Sequence, residues 1–293
     1  MAFNPETRIT AMPPSPTGVA MAAMGGFSAI SFIFKGIHLQ KNNFMKYTHL
    51  IAALCFLLSP QLIHAQENYT PDRPGIGNGS AVTEKGVFGL ETGVLVTTSE
   101  FVNQFDIGQM LLRLGVFDGF EVRALLNSYT TQSFDRTNVE RKGFNDIGLA
   151  AKYNFFTSDE GNTSVSALGK ISFPVGSEAF TNNEIIPSLF VLADQSITEF
   201  VGVSSNLGYT PSVGDEEDNW LFTLTPSFTV PSQQNVGIYA GYAGIYSSGT
   251  NQQYIEGGVT LTVNDGAQID INSGYELESE TFFIGVGFAQ GFK

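Results

Sequence analysis

Apolar and polar residues alternate along residues 86–292, in segments of about ten residues each. A period of two places successive side chains on opposite faces of a β-strand. In residues 106–117, for example, Leu112 and Leu114 share the apolar parity, and Arg113 lies on the other. The pattern predicts twelve antiparallel strands, at residues 87–98, 106–117, 119–129, 144–156, 163–174, 184–193, 198–209, 219–230, 234–246, 253–263, 267–275 and 281–292. Because residues 184–193 show no parity and Pro187 and Pro226 fit poorly in strands, ten or fourteen strands remain open.

The connections between these segments alternate between short and long. Short ones fall at residues 118–119, 157–162, 194–196, 231–232 and 264–266. Longer polar ones fall at residues 99–104, 130–142, 175–182, 211–218, 247–252 and 276–280. Short turns at one end and long loops at the other are typical of a transmembrane β-barrel. A soluble β-sandwich also alternates, but it has no reason to sort its loops by side. Aromatic residues near the segment ends further favour a barrel in the outer membrane, in contact with lipid.

Composition narrows the class of protein. Charged residues make up 14% of the chain, and no stretch after the N-terminal region approaches the roughly 20 apolar residues of a membrane-spanning helix. After residue 65 the chain carries 27 acidic and 10 basic residues, a net charge of −17. Nucleic-acid binding needs clustered Lys and Arg to displace phosphate counterions, so the sequence argues against a nucleic-acid partner.

A secretory signal peptide is predicted at residues 45–65. Lys46 supplies the positive region, residues 50–58 form an unbroken apolar run, and Ala65 provides a small residue at the cleavage site. A signal peptide normally begins the chain, yet 44 residues precede this one. We interpret Met45 as the initiator and residues 1–44 as an over-extension of the reading frame; a genuine N-terminal extension is the alternative. Residues 66–85 then form a periplasmic N-terminal segment, and residues 86–293 form the barrel.

Several short stretches carry a more specific signal. They are TPDRPG at residues 70–75, GLETG at 89–93, LRLGVFDGFEVR at 112–123, GFNDIGLAAK at 143–152, SFPVG at 172–176, DINSG at 270–274 and GVGFAQGF at 285–292. With these residues the chain resembles the family of outer-membrane transporters named for the MetA pathway of phenol degradation. The resemblance covers nearly the whole mature chain and implies a β-barrel with a transport role. Outer-membrane barrels usually end on an aromatic residue read by the barrel-assembly machinery, whereas here Phe292 is followed by Lys293.

Catalytic chemistry is poorly represented in the mature chain. The histidines and the cysteine all precede the predicted cleavage site, at His38, His49, Cys55 and His64. Without them the chain cannot build a Ser-His or Cys-His catalytic site or the usual zinc site. We therefore expect no enzyme activity, no catalytic residues, no metal site and no cofactor.

Charged residues on the polar parity of neighbouring strands are the candidate solute contacts. They are Glu91, Arg113, Glu121, Arg123, Asp146, Lys152, Lys170, Glu256 and Asp270. Inward-facing charges set what passes a pore; the alternative is a structural ladder of ion pairs that fills a narrow barrel. Residues 215–218, a predicted acidic loop, could bind Ca²⁺ or be solvated. Residues 72–74 could form a periplasmic strap, a plug element or an ordered tail.

These observations lead to one principal hypothesis. The chain is predicted to be an all-β, antiparallel outer-membrane β-barrel channel for passive passage of small solutes, apolar or aromatic ones among them. The alternative is a barrel that transports nothing and serves a structural or surface-interaction role through its acidic loops.

Overall fold

The computed structural model describes residues 69–135, 139–214, 216–264 and 266–293. The predicted signal peptide and residues 1–44 lie outside these ranges. Among the described residues, no helix has the length and apolar character needed to cross a membrane.

The described residues form antiparallel strands connected in chain order. The strands are β1 (Phe88–Thr98), β2 (Val102–Phe117), β3 (Phe120–Phe134), β4 (Val139–Phe144), β5 (Ile147–Thr157), β6 (Thr163–Phe173), β7 (Ile186–Ser196), β8 (Val201–Thr210), β9 (Asn219–Thr229), β10 (Val236–Ser247), β11 (Asn251–Asn264), β12 (Ala267–Glu276) and β13 (Thr281–Phe292). Each pairs with its sequence neighbour except around β4, and the last strand, β13, returns to pair with β1 from Phe88↔Phe292 to Thr98↔Phe282. The sheet is therefore closed.

The strands β4 and β5 together occupy one place in the ring. The C-terminal part of β3, residues 129–134, pairs with β4, and its N-terminal part, residues 120–125, pairs with β5. Counted this way the fold is a twelve-stranded antiparallel closed barrel, which confirms the predicted all-β barrel of about twelve strands.

Irregular backbone in adjacent strands accounts for the division between β4 and β5. In β2 the residues Gly108 and Gln109 have positive φ values of 104° and 41°, and in β3 Asn127 has a φ of 54°. The pairing of β2 with β3 shifts register at this level, as expected of a β-bulge. Across the division, the backbone N–H of Asn145 donates to the Ser128 carbonyl oxygen at 3.0 Å. The bulge changes which parity faces inward, so Asp106 and Arg113 of β2 are both buried.

The two faces of the barrel wall differ as the alternation predicted. Outward positions carry exposed apolar side chains, with Leu149, Ile255 and Ile271 each more than half exposed. Inward positions carry buried polar groups, among them Arg113, Glu121, Lys152 and Glu256, each at most 1% exposed. A surface that is apolar all round and a polar interior fit a barrel surrounded by lipid.

The predicted long loops are in part strand. Residues 102–104 and 130–134, assigned to loops because they are polar, extend the ladder between β2 and β3 as far as Val102↔Phe134. Hydrogen bonding to a neighbour decides where a strand ends, and polar side chains do not prevent it. The connections at one end of the barrel are longer than those at the other mainly because of the two at residues 174–185 and 211–218.

The parity missing from residues 184–193 also has a structural cause. In β7, Leu189 and Val191 face outward and are exposed, whereas Phe190 and Leu192 face inward and are buried. Both faces of this strand are apolar because the inner one packs against other apolar groups in the lumen. A strand that is buried on one side and lipid-facing on the other shows no alternation.

Candidate functional site

Residues 69–87, called the N-terminal segment from here on, cross the barrel interior. Their backbone N–H groups donate to inward-facing side chains on strands all round the wall, in the pairs Arg73–Glu91, Ile76–Glu256, Asn78–Asn206, Ser80–Asp194 and Thr83–Glu121. The segment leaves through a parallel bridge between Lys85 and Gly115 of β2. From residue 69 onward, the segment predicted to extend into the periplasm therefore lies in the lumen. Its position is that of a plug element, one of the three interpretations of residues 72–74.

Arg113 lies at the centre of a network of buried charges. Its Nη1 is 2.8 Å from Oε1 of Glu91, and its Nη2 is 3.0 Å from Oε2 of Glu121. Its Nη1 also donates to the Thr70 carbonyl oxygen at 2.9 Å, and the guanidinium lies over the Tyr69 ring at 5.2 Å. One strand residue thus joins two neighbouring strands to the N-terminal segment.

Asp72 of the N-terminal segment enters this network from the lumen side. One carboxylate oxygen lies 2.5 Å from Nη2 of Arg123, and the other lies 3.1 Å from Nζ of Lys152. Burial by itself raises the pKa of Asp72, but Arg123, Lys152 and Arg113 outweigh it and hold that pKa well below its usual range. We refer to Asp72, Glu91, Arg113, Glu121, Arg123 and Lys152 as the Asp72 cluster.

Lys152 is a second anchor of the segment. Besides its ion pair with Asp72, its Nζ donates to the carbonyl oxygens of Gly79 at 2.7 Å and Ala81 at 2.8 Å. An ammonium group has three protons to donate, and here they are all directed at the segment.

The first residues of the N-terminal segment lie against glycines of β1 and β13. Arg73 forms an ion pair with Asp270 of β12 at 3.2 Å, and a Cβ on Gly287 would lie 2.1 Å from its Nε. Tyr69 donates to Glu91 at 2.8 Å, and a Cβ on Gly89 would lie 2.3 Å from its ring. The inward glycines of these strands therefore provide the space in which the segment lies.

The opposite wall carries an apolar cluster. Ile76 of the N-terminal segment packs in a cluster with residues of β6, β7, β9 and β10, namely Leu168, Phe190, Leu192, Leu221 and Ala243. We refer to these six residues as the Ile76 cluster. This cluster was not predicted, because the inward positions were expected to be polar throughout.

Seven of the nine predicted lumen residues contact the N-terminal segment directly or through the Asp72 cluster. Glu256 accepts from the Ile76 N–H with both oxygens, at 3.0 and 3.2 Å. The two exceptions are Asp146 and Lys170. Asp146 faces inward but accepts from the backbone N–H groups of Gly176 and Asn182, so it holds the connection between β6 and β7. Lys170 lies beside Phe190, with Nζ 5.9 Å from the ring centre.

Asp106 is a further inward carboxylate, one that the alternation did not predict. It accepts from Gln104 at 2.8 Å and from the Thr130 hydroxyl, which in turn accepts from Asn145. A strict period of two would place Asp106 on the outer face of β2. The bulge at Gly108 reverses the parity and turns Asp106 inward, which the alternation alone cannot predict. The Gly108-Gln109 pair within a strand was the available signal.

The chemistry of the lumen is that of charge pairing and backbone binding. Over the described parts of the chain, no group of three or more His, Cys, Asp or Glu residues is placed to hold a metal ion. The cations of the Asp72 cluster have carboxylate partners and the carboxylates have N–H or cationic donors. The arrangement can therefore hold the N-terminal segment and set the charge of any path beside it.

Solved outer-membrane channels share this architecture. The COG4313 outer membrane channel from Pseudomonas putida F1 superposes with a TM-score of 0.59 at 13% identity, over 77% of this chain and 100% of that chain. The NanC porin superposes with a TM-score of 0.51 at 7% identity, over 69% of this chain and 98% of that one. At these identities the likeness concerns the fold, which is that of an outer-membrane β-barrel channel.

Sequence comparison then gives the family. Residues 71–292 match the family described as "Putative MetA-pathway of phenol degradation", and the chain belongs to this family. The match confirms the resemblance noted from the short stretches of the strands. Among curated proteins, none matches the chain in sequence.

Proposed function

We propose that this protein is an outer-membrane channel for the passive passage of small solutes, apolar or aromatic ones among them, and that the N-terminal segment closes it. The observation that carries the proposal is the segment's course across the lumen, bound to the wall by the Asp72 cluster and the Ile76 cluster. Family membership and the fold shared with outer-membrane channels support it.

The width of the barrel and the way the N-terminal segment is held favour a solute path rather than a permanently filled interior. A twelve-stranded barrel is wider than the eight-stranded kind that side chains alone can fill. Here the remaining space is taken by a separate stretch of chain that is held through side-chain contacts and has a single parallel bridge to the wall. Such contacts can break and re-form without disturbing the closed hydrogen-bonded sheet.

The alternative function, a structural barrel without transport, is favoured by a different observation. Arg113, Lys152 and Glu121 are at most 1% exposed, so in the described arrangement these charges face no solute. If the N-terminal segment never leaves, they serve to fill the barrel.

A single substitution separates the two functions. A Cβ on Gly115 would lie 1.9 Å from the Glu84 carbonyl oxygen, so Gly115→Val expels the end of the N-terminal segment from its place. Gly169→Val is the matched control, because a Cβ on Gly169 meets no atom within 4 Å. We expect Gly115→Val to raise single-channel conductance in planar bilayers and the rate of liposome swelling, and Gly169→Val to resemble the wild type. Equal conductance in all three proteins would favour the structural barrel.

Delivery to the outer membrane is part of the proposal. Residues 45–65 would direct export, with cleavage after Ala65, and the barrel-assembly machinery would insert the mature chain. Fractionation of envelopes, with N-terminal sequencing of the recovered protein, tests both steps. A soluble periplasmic protein, or one that begins before residue 45, would contradict them.

A further inference from the structure

Lys170 differs from the other inward-facing cations of the described residues. Arg73, Arg113, Arg123 and Lys152 each lie within 4.0 Å of a carboxylate oxygen. Lys170 has no carboxylate at that distance, and its Nζ lies 5.9 Å from the centre of the Phe190 ring. An ammonium group that is removed from water without a partner is costly. Lys170 as a whole residue is half-buried, and we take its ammonium, which has no carboxylate partner, as available to a ligand.

The surroundings of Lys170 are largely apolar. On β6 the preceding inward residue is Leu168, and on β7 Leu168 pairs with Phe190; both belong to the Ile76 cluster. The register partners of Lys170 are Ala150 on β5 and Ser188 on β7. Three apolar residues at the edge of the cluster stay half-buried, namely Ala150, Ile245 and Tyr254. The apolar surface therefore extends from the Ile76 cluster to the Lys170 side chain.

A serine lies beside the same cation in the ladder. Ser188 lies beside Lys170 in the ladder, and its hydroxyl is 2.8 Å from that of Thr210 on β8. Phe190 carries the aromatic face nearest the ammonium. A cation beside a serine, at the end of an apolar surface, is complementary to a molecule with one anionic end and a hydrophobic body.

We propose that Lys170 and the adjoining wall bind an amphipathic monocarboxylate, with the carboxylate on Nζ of Lys170 and the hydrocarbon body against Ala150 and the other half-buried apolar residues at the edge of the Ile76 cluster. This inference rests on the proposed channel function and names a solute class for it. The other charges of the lumen are already engaged by the N-terminal segment or by each other, which leaves Lys170 as the group that selects an anion.

The probes are 3-phenylpropionate and the uncharged 3-phenyl-1-propanol, which share the same hydrocarbon body. Binding of each is measured by equilibrium dialysis against the full mature protein in phosphatidylcholine nanodiscs, with empty nanodiscs as blanks. We expect the wild type to prefer the carboxylate by about tenfold, the size of one charge-assisted hydrogen bond in a partly desolvated site.

Three variants assign that preference. Lys170→Met should remove it while keeping the affinity for the alcohol, and Lys170→Arg should retain it. Lys142→Met, at an exposed lysine of β4, should leave binding unchanged. Heat-modifiable migration on a denaturing gel establishes that each variant is a folded barrel. The inference is overturned if the wild type shows no preference, if folded Lys170→Met keeps it, or if that variant loses both probes.

The outcome is distinguishable from failure of the channel proposal. If the wild type prefers the carboxylate but Gly115→Val passes no solute, the channel proposal fails and the binding site stands. If Gly115→Val conducts and no preference is found, the channel stands without this selectivity.

Discussion

On the inner wall formed by β1, β2, β3 and β5 the N-terminal segment meets buried ion pairs. On the wall formed by β6, β7, β9 and β10 it meets mainly apolar side chains, with Asp194 as a carboxylate among them. Ion pairs removed from water gain little net free energy, because desolvation offsets most of the attraction. Apolar contact stabilises in proportion to the area buried. The charged wall therefore sets where the segment lies, since an unpaired partner is costly, and the apolar wall adds the stabilisation that holds it there.

The largest effect is expected from breaking the charged wall at its centre. Arg113→Met leaves Glu91 without its cation, while Glu121 keeps Arg123 at 2.5 Å. Removing one partner of a buried ion pair lowers the free energy of unfolding by about 3–5 kcal/mol. Urea unfolding in detergent, followed by heat-modifiable migration, measures the loss. Arg141→Met, at an exposed position of β4, is the control. Equal stability of the two variants would show that the Asp72 cluster is not a structural unit.

The corresponding change on the apolar wall should have a somewhat smaller effect. Leu192 is fully buried in the Ile76 cluster, and Leu→Ala at such a site costs about 3 kcal/mol through lost contacts and a cavity. The same urea titration applies. Leu189→Ala, on the same strand but 60% exposed on the outer face, should lose clearly less. A larger loss of stability in Leu189→Ala than in Leu192→Ala would mean that the inner side of β7 is not packed.

Acidification should affect the Asp72 cluster and leave the Ile76 cluster, which contains no titratable group, unchanged. Because the folded pKa of Asp72 lies below its ordinary value, its contribution is complete above about pH 4 and is lost as the pH falls towards the depressed pKa. Hydrogen exchange of residues 70–83 should thus be unchanged between pH 7 and 5, after correction for the intrinsic rate, and rise below pH 4. Asp72→Asn should exchange faster at pH 7 and respond less to acid. A rise already at pH 6 would contradict this account.

The smallest effect is expected from one hydroxyl group. Tyr69→Phe removes the donor to Glu91 but keeps the ring beneath Arg113, so about 1 kcal/mol of stability should be lost. Tyr153→Phe, on the exposed outer face, should change nothing measurable. A loss as large as that of Arg113→Met would mean that the hydroxyl is needed to keep the whole segment bound.

Several parts of the site could be predicted from particular residues. The parity of Arg113, Glu121, Arg123 and Lys152 placed them on the inner face, and the structure brings them together around Asp72. The partner that unites them could not be predicted, because Asp72 precedes the first strand and no periodicity says where such a residue goes. The inward orientation of Asp106 could not be predicted, because a bulge interrupts the alternation. The inward orientation of Phe190 and Leu192 could not be predicted either, because an apolar residue fits the outward face equally well.

The sequence by itself determined the class of fold. Alternation, loop spacing and the short stretches of the strands sufficed for an antiparallel barrel of about twelve strands and for its family, because strand period and turn residues are local properties. Only the tertiary structure decided what fills the lumen. The course of the N-terminal segment depends on contacts between residues as far apart in the chain as Arg73 and Asp270, and such contacts exist only once the barrel has closed around them.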